Sequence, residues 1–258
     1  MTVVWHDLEC GGYAEDLSLW RALATRHGDP ILDVGAGTGR VALELARHGH
    51  RVTALDRDPV LLAALAQRAE RAERAEQAEQ AELTGRGGRS PLRTVLADAR
   101  SFELGCRFAL CLVPMQTIQL LDGPEGRRDF IRCARVHLRA GGVLAAAIAE
   151  ALEPYEVPAG SPFPPADVCE LGGVVYSSQP IAIRVDPGGF VLERRRERIP
   201  AVSVDGSRAV EHDLIRLHRL SAEQLEREAL AAGMRPAGRL AIPATREHAG
   251  STVVMLDR

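Results

Sequence analysis

The chain has 258 residues, enough for one α/β domain with additions. Its 46% hydrophobic and 26% charged content is ordinary for a soluble globular protein, and a net charge of −3 excludes a global attraction to nucleic acid or to an anionic membrane. No run approaches the length of a membrane span, and the start lacks the basic-then-apolar order of a secretory leader, so the expected location is cytoplasmic. The five cysteines are scattered, odd in number and nowhere spaced C-x-x-C, so they read as small buried apolar residues and no metal site is expected. All 32 basic side chains are arginine, which removes Schiff-base lysine chemistry and the Walker-type phosphate loop.

In chain order, residues 8–27 have the pattern of an amphipathic helical lead-in, with Leu17, Leu19, Trp20 and Leu23 apolar. A strand is expected to Val34 after Asp29-Pro30, then a glycine-spaced turn and a helix over 38–48 that closes near Gly49. A second strand covers 51–55. Asp58-Pro59 reads as an N-cap followed by proline at the first helical position, opening a helix over 59–83. Its second half, 67–82, repeats alanine, glutamate and arginine; with only alanine on the apolar stripe it is expected to be a solvated extension. A glycine-rich loop at 84–91 follows, then strands at 92–97 and 107–113, a helix at 125–138, a turn at 140–142 and a strand at 143–149. This alternation implies parallel βαβ units.

The pattern then changes. Residues 153–165 are proline-rich and read as irregular. Segments 174–176, 181–185, 190–198 and 214–217 look like strands of an antiparallel insert, with a turn at 186–189. Alternation puts Arg194, Arg196 and Arg198 on one face, where guarding an exposed sheet edge is the default reading and binding an anionic acceptor the second. Ser221-Ala-Glu-Gln224 reads as a capping box for a helix to 232, and strands at 239–242 and 252–256 end the chain. The expected division is a helical lid at 1–28, a core at 29–150, an antiparallel cap at 151–218, and a helix with the last core strands at 219–258.

The densest chemistry lies in Ile31-Leu-Asp-Val-Gly-Ala-Gly-Thr-Gly-Arg40. A buried strand, a tight turn and a helix start present backbone N–H groups to a ligand. The acid before the glycines, Asp33, adds a carboxylate, and the set suits a ligand with both an ammonium and a carboxylate. The dinucleotide fingerprint fits less well, because Arg40 takes its third glycine position. Asp56, about twenty residues beyond the glycines, can accept from two adjacent ribose hydroxyls.

The segment Asp33-Val34-Gly35-Ala36-Gly37-Thr38-Gly39 resembles the first motif of the class I S-adenosylmethionine (SAM)-dependent methyltransferases. The resemblance covers residues 29 to about 150. It implies a doubly wound, Rossmann-like α/β fold with a mostly parallel seven-stranded sheet and an antiparallel cap after the fifth strand. It implies SAM as cofactor, S-adenosylhomocysteine (SAH) as product, and methyl transfer to the N or O of a small-molecule acceptor. Asp33, Gly35, Ala36, Gly37, Gly39 and Arg40 would cradle the methionine end, and Asp56 with Arg57 the ribose. Asp98 would meet the adenine amino group and the Ala99 N–H a ring nitrogen. Leu112 and Val113, at the fourth strand's end, would face the cofactor, with Met115, Gln116 and Gln119 toward the acceptor.

Tyr13 and Trp20 would lie over the cofactor as a lid, where an aromatic face near a sulfonium is favourable. For a base, His6, His212, His218 and His248 are available; His248, Tyr13 and His6 are the catalytic candidates. Val113-Pro114-Met115-Gln116 stands where base-flipping nucleic-acid methyltransferases carry Asn/Asp-Pro-Pro-Tyr, so no nucleic-acid partner is expected. A homodimer through exposed cap strands is possible. Three alternatives stay open: a SAM-binding protein using the cofactor structurally or in another reaction such as a cyclisation, an NAD-dependent oxidoreductase, and a non-catalytic module acting through the 67–82 helix.

Overall fold

The computed structural model describes residues 3–83, 92–158, 160–200, 208–245 and 248–258. The glycine-rich loop placed at 84–91 lies outside them. A seven-stranded sheet runs β11-β12-β5-β4-β1-β2-β3, built from β1 (Ile31–Val34), β2 (Val52–Asp56), β3 (Leu92–Leu96), β4 (Phe108–Val113), β5 (Leu138–Ile148), β11 (Arg235–Ile242) and β12 (Ser251–Asp257). Pairings β1–β2, β2–β3, β1–β4 and β4–β5 are parallel; β12 is antiparallel to both neighbours. Chain order reverses between β1 and β4, so a crevice opens at their carboxyl ends, where ligands bind in such sheets.

Because both faces of a parallel sheet are covered, its central strands are largely apolar, while the edge strands β3 and β11 carry polar residues and are partly exposed. Every residue of β1 and β4 is buried. One face packs under α2 (Leu17–His27), α3 (Arg40–Arg47) and α4 (Pro59–Leu83), with Trp20, Leu45, Leu65, Leu110 and Leu112 in its core. The other packs under α5 (Gly123–His137) and α6 (Ala222–Ala231), with Val113, Phe130, Ile131 and Leu225. Asp58 caps α4, its Oδ1 accepting from the N–H groups of Val60 (2.8 Å) and Leu61 (3.2 Å), and Ser221 Oγ caps α6 by accepting from the Gln224 N–H at 3.2 Å.

A second, five-stranded sheet contains β6 (Tyr155–Glu156), β7 (Asp167–Leu171), β8 (Val174–Asp186), β9 (Gly189–Pro200) and β10 (Ala209–His218), in the order β10-β9-β8-β6 with β7 also on β8. Several expectations are corrected here. The segments 174–176 and 181–185 are one strand, because a register shift at Pro180 absorbs the residue that cannot donate to the ladder. The irregular region contains β6, and β7 follows it. Strand β9 is central, not an edge, and Arg194 and Arg196 point inward. The expected turn at 140–142 is instead part of β5, with a register shift opposite Phe108–Leu110.

The lead-in helix is also broken. Val3–His6 is a helical turn (α1), Asp7–Gly11 is π-helical, and α2 begins only at Leu17. Gly11-Gly12 favours the break, and Asp16 stands at the N-cap of α2 without capping it, because its side chain is engaged elsewhere. Its carboxylate accepts from both Arg40 Nη groups and from the Trp20 Nε1–H at 2.7 Å. Helix α3 starts at Arg40, not Thr38, because Gly39 holds a left-handed φ of 97°. In α4 the extension is not solvated from its start. Arg68, near the head of the repeat, is ion-paired to Asp7 of the N-terminal segment, with one contact at 2.9 Å.

Candidate active site

A cavity of about 550 Å³ opens at the carboxyl ends of β1, β2 and β4 and reaches the inner face of the antiparallel sheet. Its floor is the β1–α3 turn. Gly35 has φ 72° and Gly37 φ 54°, both left-handed, and the N–H groups of Gly35 and Ala36 donate to the Leu55 carbonyl at 2.8 and 3.1 Å. A Cβ on Gly35 would lie 2.5 Å from Thr117 Cγ2, and one on Gly37 would lie 2.3 Å from His6 Nε2. Glycine is therefore required twice, for conformation and for space.

Asp33 is 1% exposed and lines the cavity, and neither carboxylate oxygen has a hydrogen-bond partner. Burial pushes its carboxyl up to about 7, against the Arg40 charge, which pulls it down. A buried acid without a donor costs free energy unless a ligand supplies one, and an ammonium supplies up to three. Asp56, at the end of β2, accepts the Gly37 N–H (2.8 Å) on one oxygen and the Asp58 N–H (2.9 Å) on the other. That fixes the turn and leaves lone pairs for a diol. Asp98 follows β3 and is gripped by Arg100, whose Nε lies 2.9 Å from Oδ1 and whose Nη2 lies 2.6 Å from Oδ2. These bonds hold Asp98 at about 2, against desolvation. The residues present therefore fit SAM: an ammonium partner, a glycine cradle, a diol partner, and an acid with the adjacent Ala99 at the adenine end. Arg57 also lines this wall.

The structure separates the other site candidates. Trp20 is fully buried in the core and donates to Asp16, so it does not line the cavity. Leu112 and Val113 are equally buried, on opposite faces of the sheet; the lining begins at Pro114. Gln119 is a structural residue, because its amide donates to the carbonyls of Ala149 and His218 (both 3.1 Å) and accepts the Ala149 N–H (2.8 Å). Met115 and Gln116 do line the cavity, both with left-handed φ, and Gln116 Nε2 donates to Ser251 Oγ at 2.9 Å. Tyr13 and His248 meet edge-on at 4.8 Å between ring centres and stand outside the lining, with Arg40 5.1 Å over the Tyr13 ring.

Of the catalytic candidates, His6 alone lines the cavity. Thr38 Oγ1 donates to Asp7 at 2.7 Å, so the 3.2 Å contact between Thr38 Oγ1 and His6 Nδ1 needs the proton on Nδ1. Nε2 is then the free acceptor, and burial lowers the imidazole below its usual range.

Sequence reasoning missed the wall that joins the two sheets. Glu9 lines the cavity, takes Arg196 with two bonds of 2.7 Å, and accepts from Ser178 Oγ at 2.7 Å. Trp5 packs edge-on against Tyr176 at 5.2 Å. Beyond Glu9 the cap contributes Pro180, Ala182, Ile183, Leu192, Ile215 and Leu217, an apolar stretch of the cavity wall. The inward-facing alternation of Leu192, Arg194 and Arg196 was the available signal. Which element it faced was not.

Residues 31–142 match the family model for a methyltransferase domain. A protein-L-isoaspartate O-methyltransferase from Methylorubrum extorquens (strain PA1) is 30% identical over 115 residues, 44% of this chain. The chain spans half the length of that curated relative. An amino pentose methyltransferase from Micromonospora echinaspora, solved with SAM bound, superposes over 100% of this chain and 97% of its own, with TM-score 0.66 and 19% identity. A sugar N-methyltransferase from a Streptoalloteichus species covers 98% of this chain and 90% of its own, with TM-score 0.66 and 20% identity. At such identities the two solved structures establish a shared fold, cap included. Residues 31–142 therefore match a methyltransferase domain, and the chain as a whole shares its fold, cap included, with SAM-dependent methyltransferases of known structure.

Proposed function

We propose that this protein transfers a methyl group from SAM to an amine nitrogen of a small-molecule acceptor. The observation that carries the reading is the buried, partnerless carboxylate of Asp33, in one cavity with Asp56, Asp98 and the apolar face of the cap. When bound, the cofactor supplies a sulfonium methyl and leaves as a neutral thioether, so no acid is needed on the leaving side. Asp33 would pair with its ammonium, Asp56 with its ribose hydroxyls, and Asp98 with its adenine amino group. The cap wall excludes water, and the platform of Met115 and Gln116 sets the angle of approach.

The nitrogen acceptor is supported by what surrounds the acceptor end. A hydroxyl acceptor needs a base there, whereas an amine arriving neutral attacks through its own lone pair. The carboxylates on that side are engaged: Glu9 by Arg196 and Ser178, Asp122 by Arg100, and Glu193 by Arg184 and His212. His6 stands against the glycine turn instead. The two solved relatives are described as acting on an amino pentose and as a sugar N-methyltransferase. The amide of Gln116 is the polar group best placed to orient an acceptor N–H.

Calorimetric titration with SAH, with Asp56→Ala as control, tests the cofactor. Micromolar binding, weakened tenfold or more in the variant (about 1.4 kcal/mol), is expected. Incubation with SAM and amino sugars, read by product mass, should then add one methyl at nitrogen. A folded protein giving no heat with SAH would remove the reading.

A further inference from the structure

Every non-glycine residue with positive φ, among the described residues, lies in one cavity-lining loop: Met115 (49°), Gln116 (57°) and Asp122 (52°). Left-handed backbone at such residues costs free energy and persists only where surroundings enforce it. Three ties do so. Gln116 is held to Ser251 at the start of β12. Gln119 is bonded to the end of β5 and the end of β10. Asp122 is bonded to Arg100 Nη1. The first two ties are to the scaffold. The third is different, because the same guanidinium holds Asp98 through Nε and Nη2.

We infer that Arg100 is a positioning residue that transmits cofactor occupancy from Asp98 to the loop at 114–122 on the acceptor side. This rests on the proposed SAM site. The geometry suits the task. Guanidinium is a planar fork able to bond two carboxylates at once, where an ammonium is a single point. Gly126 in α5 makes room for its stem: a Cβ there would lie 3.3 Å from Arg100 Cδ. The Arg100 and Asp122 side chains are 35% and 66% exposed, so the pair adds little to stability and its worth is geometric. Asp98 can accept an adenine amino group without releasing Arg100: Oδ1 takes the Arg100 backbone N–H and Nε, while Oδ2 takes chiefly Nη2 and keeps a lone pair. A bound adenine then fixes Asp98, Asp98 fixes Arg100, and Arg100 fixes Asp122, where the loop passes into α5.

Hydrogen exchange on the full chain, with and without saturating SAH, tests this. In the wild type, SAH should slow exchange of the amides at 115–122 by about threefold or more. Asp122→Asn keeps a residue that tolerates left-handed φ but loses the charge-assisted bond. It should bind SAH within about threefold of the wild type and lose most of that protection. Arg100→Lys, which cannot fork over two carboxylates, should also lose it. Loop protection retained in both variants overturns the inference, as does protection absent from an SAH-bound wild type. A tenfold loss of SAH affinity in Asp122→Asn also overturns it, by placing Asp122 in the cofactor site itself. A wild type that binds no SAH fails earlier, and removes the proposed function instead.

Discussion

Asp33 is where burial and function conflict. Its carboxyl is held at about 7 in the folded chain against 3.8 ordinarily, so the folded state keeps a proton between these values that the unfolded state releases. Stability must therefore fall as pH rises through that window, by a total of order 4 kcal/mol. Asp33→Asn should raise the thermal midpoint of the ligand-free protein at pH 8 and lose that advantage near pH 4. The ligand shows the opposite sign. An ammonium favours the ionised acid, so SAH affinity in the wild type should climb from pH 5 to pH 8. In Asp33→Asn it should be weak and flat, as calorimetry at both pH values would show.

Glu9 is the counter-case, a buried acid fully paired. Its side chain and that of Arg196 are 4% and 6% exposed, so solvent screens neither. Asp213 also meets Arg196, at 2.9 Å, and limits the damage when Glu9 is removed. Glu9→Ala should cost about 2 kcal/mol, read as a lower urea midpoint.

Among elements, the longest helix was legible. Helix α4 has the expected bounds, because Asp58-Pro59 fixes its start and a run of strong helix formers carries it on. The N-terminal segment was not, because the amphipathic pattern of 8–27 says nothing about tertiary demands on Asp16 and Glu9. The loop after β4 is a second such case. Gln116 and Gln119 are three residues apart and chemically identical, yet one lines the cavity and the other is consumed by backbone bonds. Close approach within that region gives a sharp test. A Cβ on Gly126 would lie 1.8 Å from the Leu121 carbonyl oxygen. Gly126→Ala should cost about 3 kcal/mol by chemical denaturation, since backbone must move to admit it.

At the scale of the whole molecule, the cofactor cradle hangs from the seven-stranded sheet while the opposite wall comes from the cap. The N-terminal segment bridges them. Asp7 reaches Arg68 and Thr38 on the core, and Glu9 reaches Arg196 and Ser178 on the cap. The cavity is thus enclosed by parts distant in sequence, and binding of the proposed cofactor should stabilise them together. SAH at a hundred times its dissociation constant should add about 2.7 kcal/mol, seen as a higher thermal midpoint. No helix among the described residues is long and apolar enough to cross a membrane.

The sequence by itself determined the parallel core and the glycine turn at the cavity floor. Both are local: an apolar strand, a glycine turn and a helix start occupy one continuous stretch, and Asp56 and Asp98 follow at the ends of the next two strands. Tertiary structure alone decided the cap side of the cavity. It placed β9 in the middle of its sheet, turned Arg194 and Arg196 inward onto Glu9, and left Trp20, Leu112, Val113 and Gln119 out of the cavity. The physical reason is range. Turn and helix geometry depend on neighbours a few residues away. Which face of a cap strand meets solvent depends on contacts such as Glu9 to Arg196, made across 187 residues of chain.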